Sequence, residues 1–236
     1  MKYSVLVPAH NEAAYIGNCL QSIKDAAENV TDEVEIIVAL NRCTDQTADI
    51  AAGYQAVIVN EDRKNLARIR NAAARAASGD VVVTIDADSR MSSNMFVEIA
   101  ANLSAGKYIG GGVMIRPERW SPGIFMSLLM VLPFLLIHRV SGGLFWCCRS
   151  DFEAVGGFNE TRVSAEDLDF AKRLKAHGKK RGKRFKTIVR AHIITSCRKF
   201  DTFGDWYLFK NPGLVWQIMK GNDQKAADRF YYHPDR

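Results

Sequence analysis

The sequence predicts an α/β fold: a mostly parallel central sheet with helices on both faces, continued by an α+β half. Three observations carry this. From the first residues to Ile85, apolar runs of strand length alternate with amphipathic helical patterns, and βαβ alternation implies parallel strands. The run Val81–Ile85 is continuous and β-branched, as expected of a strand covered on both faces. After Met114 the alternation gives way to a long apolar segment and then mixed elements.

In order, Tyr3 to Val7 reads as a strand ended by Pro8, and Asn11 is placed to cap a helix. That helix would set Ile16, Cys19, Leu20 and Ile23 on one face. Val34–Leu40 reads as a buried strand, Thr44 as the cap of a short helix through Gly53, and Ala56–Val59 as a third strand. Lys64–Ala77 is a helix stopped by Gly79, and Val81–Ile85 is the fourth strand. Further on, Leu144–Arg149 reads as a strand, Ser164–His177 as a helix capped by Ser164, and Phe185–Ile194 as a strand. No Pro-, Gly- or Ser-rich linker divides the chain, so residues 1–236 read as one domain, with a half at about 1–113 and a second at about 114–236.

Bulk properties narrow the class. With 236 residues, 47% hydrophobic and 25% charged, the chain can bury a large core, and disorder, a collagen-like repeat or a coiled coil fits poorly. Its five cysteines are scattered without a Cys-x-x-Cys pair, which argues against a zinc ribbon or a disulfide framework. Met1-Lys2-Tyr3-Ser4 runs directly into a strand pattern with no signal peptide, so a cytoplasmic location is expected.

The net charge of +6 is concentrated between Lys172 and Arg190, ten basic residues with no acid. A solvated face, an anionic membrane surface or lipid phosphate, and nucleic acid are the readings open to it. Gly123–Ile137 is almost wholly apolar, interrupted by Ser127 and Pro133. It falls short of the roughly 20 residues of a spanning helix, leaving a buried helix or one resting on a membrane.

In open α/β sheets ligands bind beyond the carboxyl ends of the strands, so motifs that follow a strand matter most. Asp86-Ala87-Asp88 closes the fourth strand. In extended chain both carboxylates would face one space, where they suit a hard divalent cation, Mn²⁺ or Mg²⁺, that also bridges phosphates. Val7-Pro8-Ala9-His10-Asn11-Glu12 and Asn41-Arg42-Cys43-Thr44-Asp45 follow the first and second strands. Glu166-Asp167 opens a helix, where acids are favourable at the dipole and where a general base could stand.

Taken together, the motifs resemble those of glycosyltransferase family 2, of the GT-A fold, over roughly residues 2 to 200. The set comprises residues 7–12, Asn41–Thr47, Arg70-Asn71, Ala76 to Asp80, Asp86-Ala87-Asp88, Gly156-Gly157-Phe158, Glu166-Asp167, and Arg173-Leu174 ahead of Gly178. The resemblance implies a soluble, non-processive, metal-dependent transferase acting with inversion on a UDP- or GDP-sugar. It implies that Pro8, Ala9, His10, Glu12, Asn41, Arg70, Asp86 and Ala87 hold the donor. Asp88 and His192 would ligate the metal, Asp167 would be the base, and Glu166 would stand beside it. The acceptor is left open, with a lipid-linked one and peripheral membrane contact suggested by the apolar segment and basic stretch. The second strand departs from the family's acidic ending, reading Ala39-Leu40-Asn41-Arg42-Cys43.

Rival classes fit less well. A nucleotidyltransferase would show a Gly-rich basic loop after the first strand, and neither a Walker A nor a Gly-x-Gly-x-x-Gly signature is present. A degenerate sugar-nucleotide-binding protein would lack the acids that are present. No nucleic-acid motif accompanies the basic stretch, and nucleic acid is not expected as a partner.

Overall fold

The computed structural model describes residues 1–138, 140–162 and 164–220. Its strands are β1 (Lys2–Ala9), β2 (Glu33–Leu40), β3 (Val57–Asn60), β4 (Val81–Ile85), β5 (Ser89–Met91), β6 (Tyr108–Pro117), β7 (Leu144–Cys148) and β8 (Arg184–Thr195). The helices are α1 (Ile16–Ala27), α2 (Thr47–Gly53), α3 (Leu66–Ala76), α4 (Met95–Ser104), α5 (Pro122–His138), α6 (Arg149–Ala154), α7 (Glu166–Lys180), α8 (Arg198–Phe203), α9 (Tyr207–Lys210) and α10 (Pro212–Lys220). All eight strands join one sheet in the order β3-β2-β1-β4-β7-β6-β8-β5. Strands β1 to β4 pair in parallel, as does β6 with β8, whereas β7 runs against both β4 and β6 and β5 runs against β8. The fold is GT-A.

Strand periodicity sorts the core into two layers. Val5 and Val7 of β1 pack with Ile16, Leu20 and Ile23 of α1, whereas Leu6 packs on the other face with Ala67, Ile69 and Ala73 of α3 and Phe170 and Leu174 of α7. Each large side chain fully buried in these layers contributes about 1.5–3 kcal/mol over its exposed state, so the sheet is a firm platform for whatever stands at its ends.

The sheet brings the carboxyl ends of β1, β2 and β4 to one pole. The reversed β7 adds its first residue there, with Leu144 opposite Ile85. Strand β6, spanning the 113/114 boundary, was not apparent from the sequence. Its Gly110-Gly111-Gly112 run is explained by close approach of neighbouring strands: a Cβ on Gly110 or Gly111 would strike the backbone carbonyl of Trp146 or Lys186.

Several local expectations are corrected. Strand β1 continues through Pro8 to Ala9, paired with β2 only, because β4 pairing has already stopped at Leu6 and no ladder bond on that side is asked of the proline. Asn11 does not cap α1, which starts at Ile16. It lies at φ 51°, and its side chain accepts a hydrogen bond from the Thr44 amide at 2.8 Å. Asp45, not Thr44, opens α2 by accepting from the Thr47 amide at 3.0 Å. Ser164 does not cap α7 either; the helix is entered through Ala165 in the left-handed region.

The basic stretch and the apolar segment are placed apart. Arg184 pairs with Tyr108 at the amino-end pole of the sheet, so the basic end of α7 and the start of β8 lie away from the carboxyl ends of β1, β2 and β4. Helix α5 lies on the surface, with Ile124 and Ser127 buried and Phe125, Leu128, Leu129 and Leu132 exposed. Among the described residues no helix is long and apolar enough to cross a membrane.

Candidate active site

Strand β4 stops at Ile85, and a tight turn follows in which the Ser89 amide donates to the Asp86 carbonyl at 3.0 Å. The two acids are thus set by a turn rather than by extended chain, and each meets a different arginine. Asp86 accepts from Arg70 Nη2 at 2.6 Å. Asp88 forms an ion pair with Arg198 Nη2 at 2.9 Å and accepts from the Ser196 hydroxyl at 3.1 Å. Both line one cleft with Ser196, Lys199, Phe200 and Tyr207.

Arg70 is placed by α3, whose first turn is capped by Asn65 accepting from the Arg68 amide at 2.9 Å. Its other guanidinium nitrogen donates to Glu166, and its plane lies 5.2 Å from the Phe158 ring centre. Neighbouring Asn71 explains the Gly156-Gly157-Phe158 motif. Its amide donates to the Phe158 carbonyl at 2.9 Å and its oxygen accepts from the Phe158 amide at 2.9 Å. A Cβ on Gly157, which sits at φ 61°, would stand 2.7 Å from that oxygen. Burial works against the charge on Arg70, but Asp86, Glu166 and Asp167 hold it firmly protonated.

The acids that open α7 differ in their surroundings. Glu166 is buried against Arg70, while Asp167 is half-buried, accepts from the Leu168 amide at 2.7 Å through one oxygen, and holds the other near Gly142. Burial pushes both carboxyls above the ordinary carboxylate range, and the pull of Arg70 only partly offsets it. Ala165 just before them lies at φ 51°, a conformation costly for a non-glycine residue. Strain of this kind collects at functional sites.

The other sequence-predicted residues scatter. Pro8 and Ala9 end β1, and His10 Nδ1 lies against the Asn41 carbonyl oxygen. Glu12 is buried under Arg198, which donates to both of its oxygens, one at 2.7 Å. Asn41 is not open to a ligand: it is fully buried, with its side-chain amide donating to the carbonyls of Glu61 and Arg63, the latter at 3.0 Å. Ala87 stands between the two acids with its side chain packed in the core. His192 is not brought to Asp88. Ser196 is the residue opposite Asp88, whereas the His192 amide bonds to Ser92, four strand residues and about 13 Å farther along.

Ser196, Arg198 and Lys199 were missed by sequence reasoning. They follow β8, so the same test, what comes after a strand, would have found them.

As a metal site the cluster is partial. Among the described residues no group of three or more His, Cys, Asp or Glu is arranged to hold an ion. What is present is a pair of hard carboxylates, each with one oxygen outside the arginine bonds. Five carboxylates, Glu12, Asp86, Asp88, Glu166 and Asp167, gather here; Arg70 pairs with Asp86 and Glu166, and Arg198 with Glu12 and Asp88. That donor set fits Mg²⁺ or Mn²⁺, which takes one or two protein carboxylates and completes its shell with water and substrate phosphates.

A parallel α/β sheet with paired acids in a cleft at its carboxyl pole is the arrangement of GT-A glycosyltransferases. The chain belongs to glycosyl transferase family 2, whose family model matches residues 4–156. It is 30% identical over 90 residues to the putative glycosyltransferase EpsH of Bacillus subtilis (strain 168), a match covering 36% of this chain and 25% of that protein, so the chain spans only a part of this curated relative. Its fold is similar to that of S. aureus TarS 1-349 in complex with UDP-GlcNAc (TM-score 0.67, 19% identity, 98% of this chain and 70% of that one). It is similar also to the mannosyltransferase PcManGT from Pyrobaculum calidifontis in complex with GDP-Man and Mn²⁺ (TM-score 0.61, 24% identity, 80% and 56%).

Proposed function

We propose that this protein transfers a sugar from a nucleoside-diphosphate sugar to an acceptor hydroxyl with inversion, Asp167 taking the hydroxyl proton. The observation that supports this reading is the contrast between the two acids of α7. Glu166 is committed to Arg70, whereas Asp167 keeps one carboxylate oxygen outside its backbone bond and has a raised proton affinity. A carboxylate of raised pKa is the better proton acceptor near neutral pH. The binding of UDP-GlcNAc and of GDP-Man with Mn²⁺ by proteins of similar fold supports a nucleotide-sugar donor.

In the step itself the acceptor oxygen bonds to the anomeric carbon as the bond from that carbon to the diphosphate oxygen breaks, its electron pair leaving with the diphosphate. The acceptor proton passes to Asp167. Asp88, with Asp86 beside it, would hold Mn²⁺ or Mg²⁺, which supplies charge stabilisation to the departing diphosphate when bound. His192 is dropped from the ligand set on its position. Arg70 is a positioning residue: it fixes Asp86 and Glu166 and so the first turn of α7 that carries Asp167.

The test is Asp167→Asn. We expect turnover to fall by roughly 10²–10⁴ while calorimetric donor affinity stays near wild type, and proton NMR of the wild-type product to show the anomer opposite to the donor's. Wild-type turnover in the variant would remove Asp167 as the base, and a retained anomer would remove inversion.

A further inference from the structure

We infer that the surface formed by α5, α9 and α10 docks on an anionic lipid bilayer. The starting point is the helix pattern of α5. Phe125, Leu128, Leu129 and Leu132 are spaced i, i+3, i+4, i+7, the stripe by which an amphipathic helix meets its core, yet all four are exposed. The side of α5 that does pack carries Ile124, which is fully buried, together with Gly123, which approaches the Asp205 backbone, and Ser127, whose hydroxyl donates to the Asp205 carbonyl at 3.2 Å. The apolar stripe is thus turned outward by a specific inner contact.

Tryptophan usage points the same way. Of the four tryptophans in the chain, Trp146 is fully buried in the core, and the other three, Trp120, Trp206 and Trp216, are 62%, 42% and 52% exposed. Trp120 stands just before α5, Trp206 just before α9 and Trp216 on α10, and α9 packs on both α5 and α10. Indole rings flanking an apolar stripe suit the headgroup–acyl boundary, where one edge is wet and the body is dry.

Charge favours a bilayer with anionic lipid over a neutral one. The chain has no acid from Arg119 to Ser150 or from Trp206 to Asn222, whereas Lys210 and Lys220 stand in the second of these stretches. Two acids nearby, Asp201 and Asp205, share Arg119, with contacts of 2.6 and 2.7 Å, so half of their charge is offset. The basic stretch at the far pole takes no part. This face adjoins the catalytic cleft, whose wall includes Phe200, Tyr207 and Leu208. Docking would therefore hold the cleft at the lipid surface, a placement that does not depend on the identity of the donor.

The experiment is co-sedimentation of the full chain with vesicles of phosphatidylcholine, alone or with phosphatidylglycerol, and tryptophan emission as a second readout. We expect the wild type to pellet with the phosphatidylglycerol vesicles and its emission to shift blue. The Phe125→Glu/Leu129→Glu double variant should lower the bound fraction about tenfold with its thermal transition unchanged, since both side chains are on the surface. Wild type that stays in the supernatant with anionic vesicles overturns the inference, as does a variant that pellets like wild type. A dimer by light scattering that the double variant converts to monomer, with no vesicle binding, would make a second copy the occupant and overturn it too.

Discussion

The two poles of the central sheet treat their carboxylates in opposite ways. At the amino-end pole Glu35 accepts from the Ser4 hydroxyl at 2.5 Å, from the Ser78 amide and hydroxyl at 2.7 Å each, and pairs with Lys2 at 3.0 Å. Burial alone would push it up, but these donors outweigh it and hold the carboxyl down at about 2. At the carboxyl-end pole burial pushes Glu166 and Asp167 up instead, neighbouring acids add to it, and Arg70 only partly offsets it. A satisfied carboxylate is a staple; a crowded one is available for chemistry.

The largest expected effect that sharpens this contrast comes from Asp88→Ala. Removing a proposed ligand should weaken donor binding in Mn²⁺ by about tenfold or more, and titration with and without chelator should then give the same affinity. An Mn²⁺-dependent affinity that survives would move the metal role elsewhere.

At the opposite pole, Glu35→Gln should leave turnover unchanged and cost about 2 kcal/mol of stability at neutral pH, an order-of-magnitude figure from the depressed pKa. A group whose folded pKa is depressed stabilises above its unfolded value, here the ordinary 4.5, and loses that contribution as pH falls toward about 2. Chemical denaturation should therefore show the gap between wild type and variant at pH 7 closing through that window. A gap that persists at the lowest pH would make packing, not ionisation, the source.

A smaller effect should appear in the pH–rate profile. Asp167 must be ionised to accept a proton, and its carboxyl is raised from the ordinary 3.8. Turnover should fall as pH drops through that raised value, so the acid limb should lie above 3.8 in wild type. The limb should be absent in the residual activity of Asp167→Asn. The smallest effect is Ala165→Gly, which relieves a left-handed alanine and should raise stability by at most about 1 kcal/mol in thermal melts.

Much of the parallel half was legible because local pattern and tertiary role agree there. The β-branched run Val81–Ile85 matches β4 residue for residue, since a strand buried on both faces favours such side chains throughout, its one hydroxyl, on Thr84, accepting from the Phe145 amide. Strand β6 was invisible because its three glycines have poor strand propensity and are explained only by the backbones beside them. Asp86, Asp88, Arg70 and Glu166 were named from motifs and do converge. Arg198 lies 186 residues from its partner Glu12, a pairing that no local pattern encodes. His192 was misplaced because a strand histidine reveals neither its register nor its partner until the β5–β8 ladder is known.

The central claim is that the acid cluster at the carboxyl pole serves a metal-bound nucleotide sugar. Its most direct test is calorimetric titration of the protein with a panel of UDP- and GDP-sugars, in Mn²⁺ and in chelator. The account predicts binding of one donor that strengthens in Mn²⁺ and weakens in chelator. Folded protein that binds no donor in either condition would contradict it.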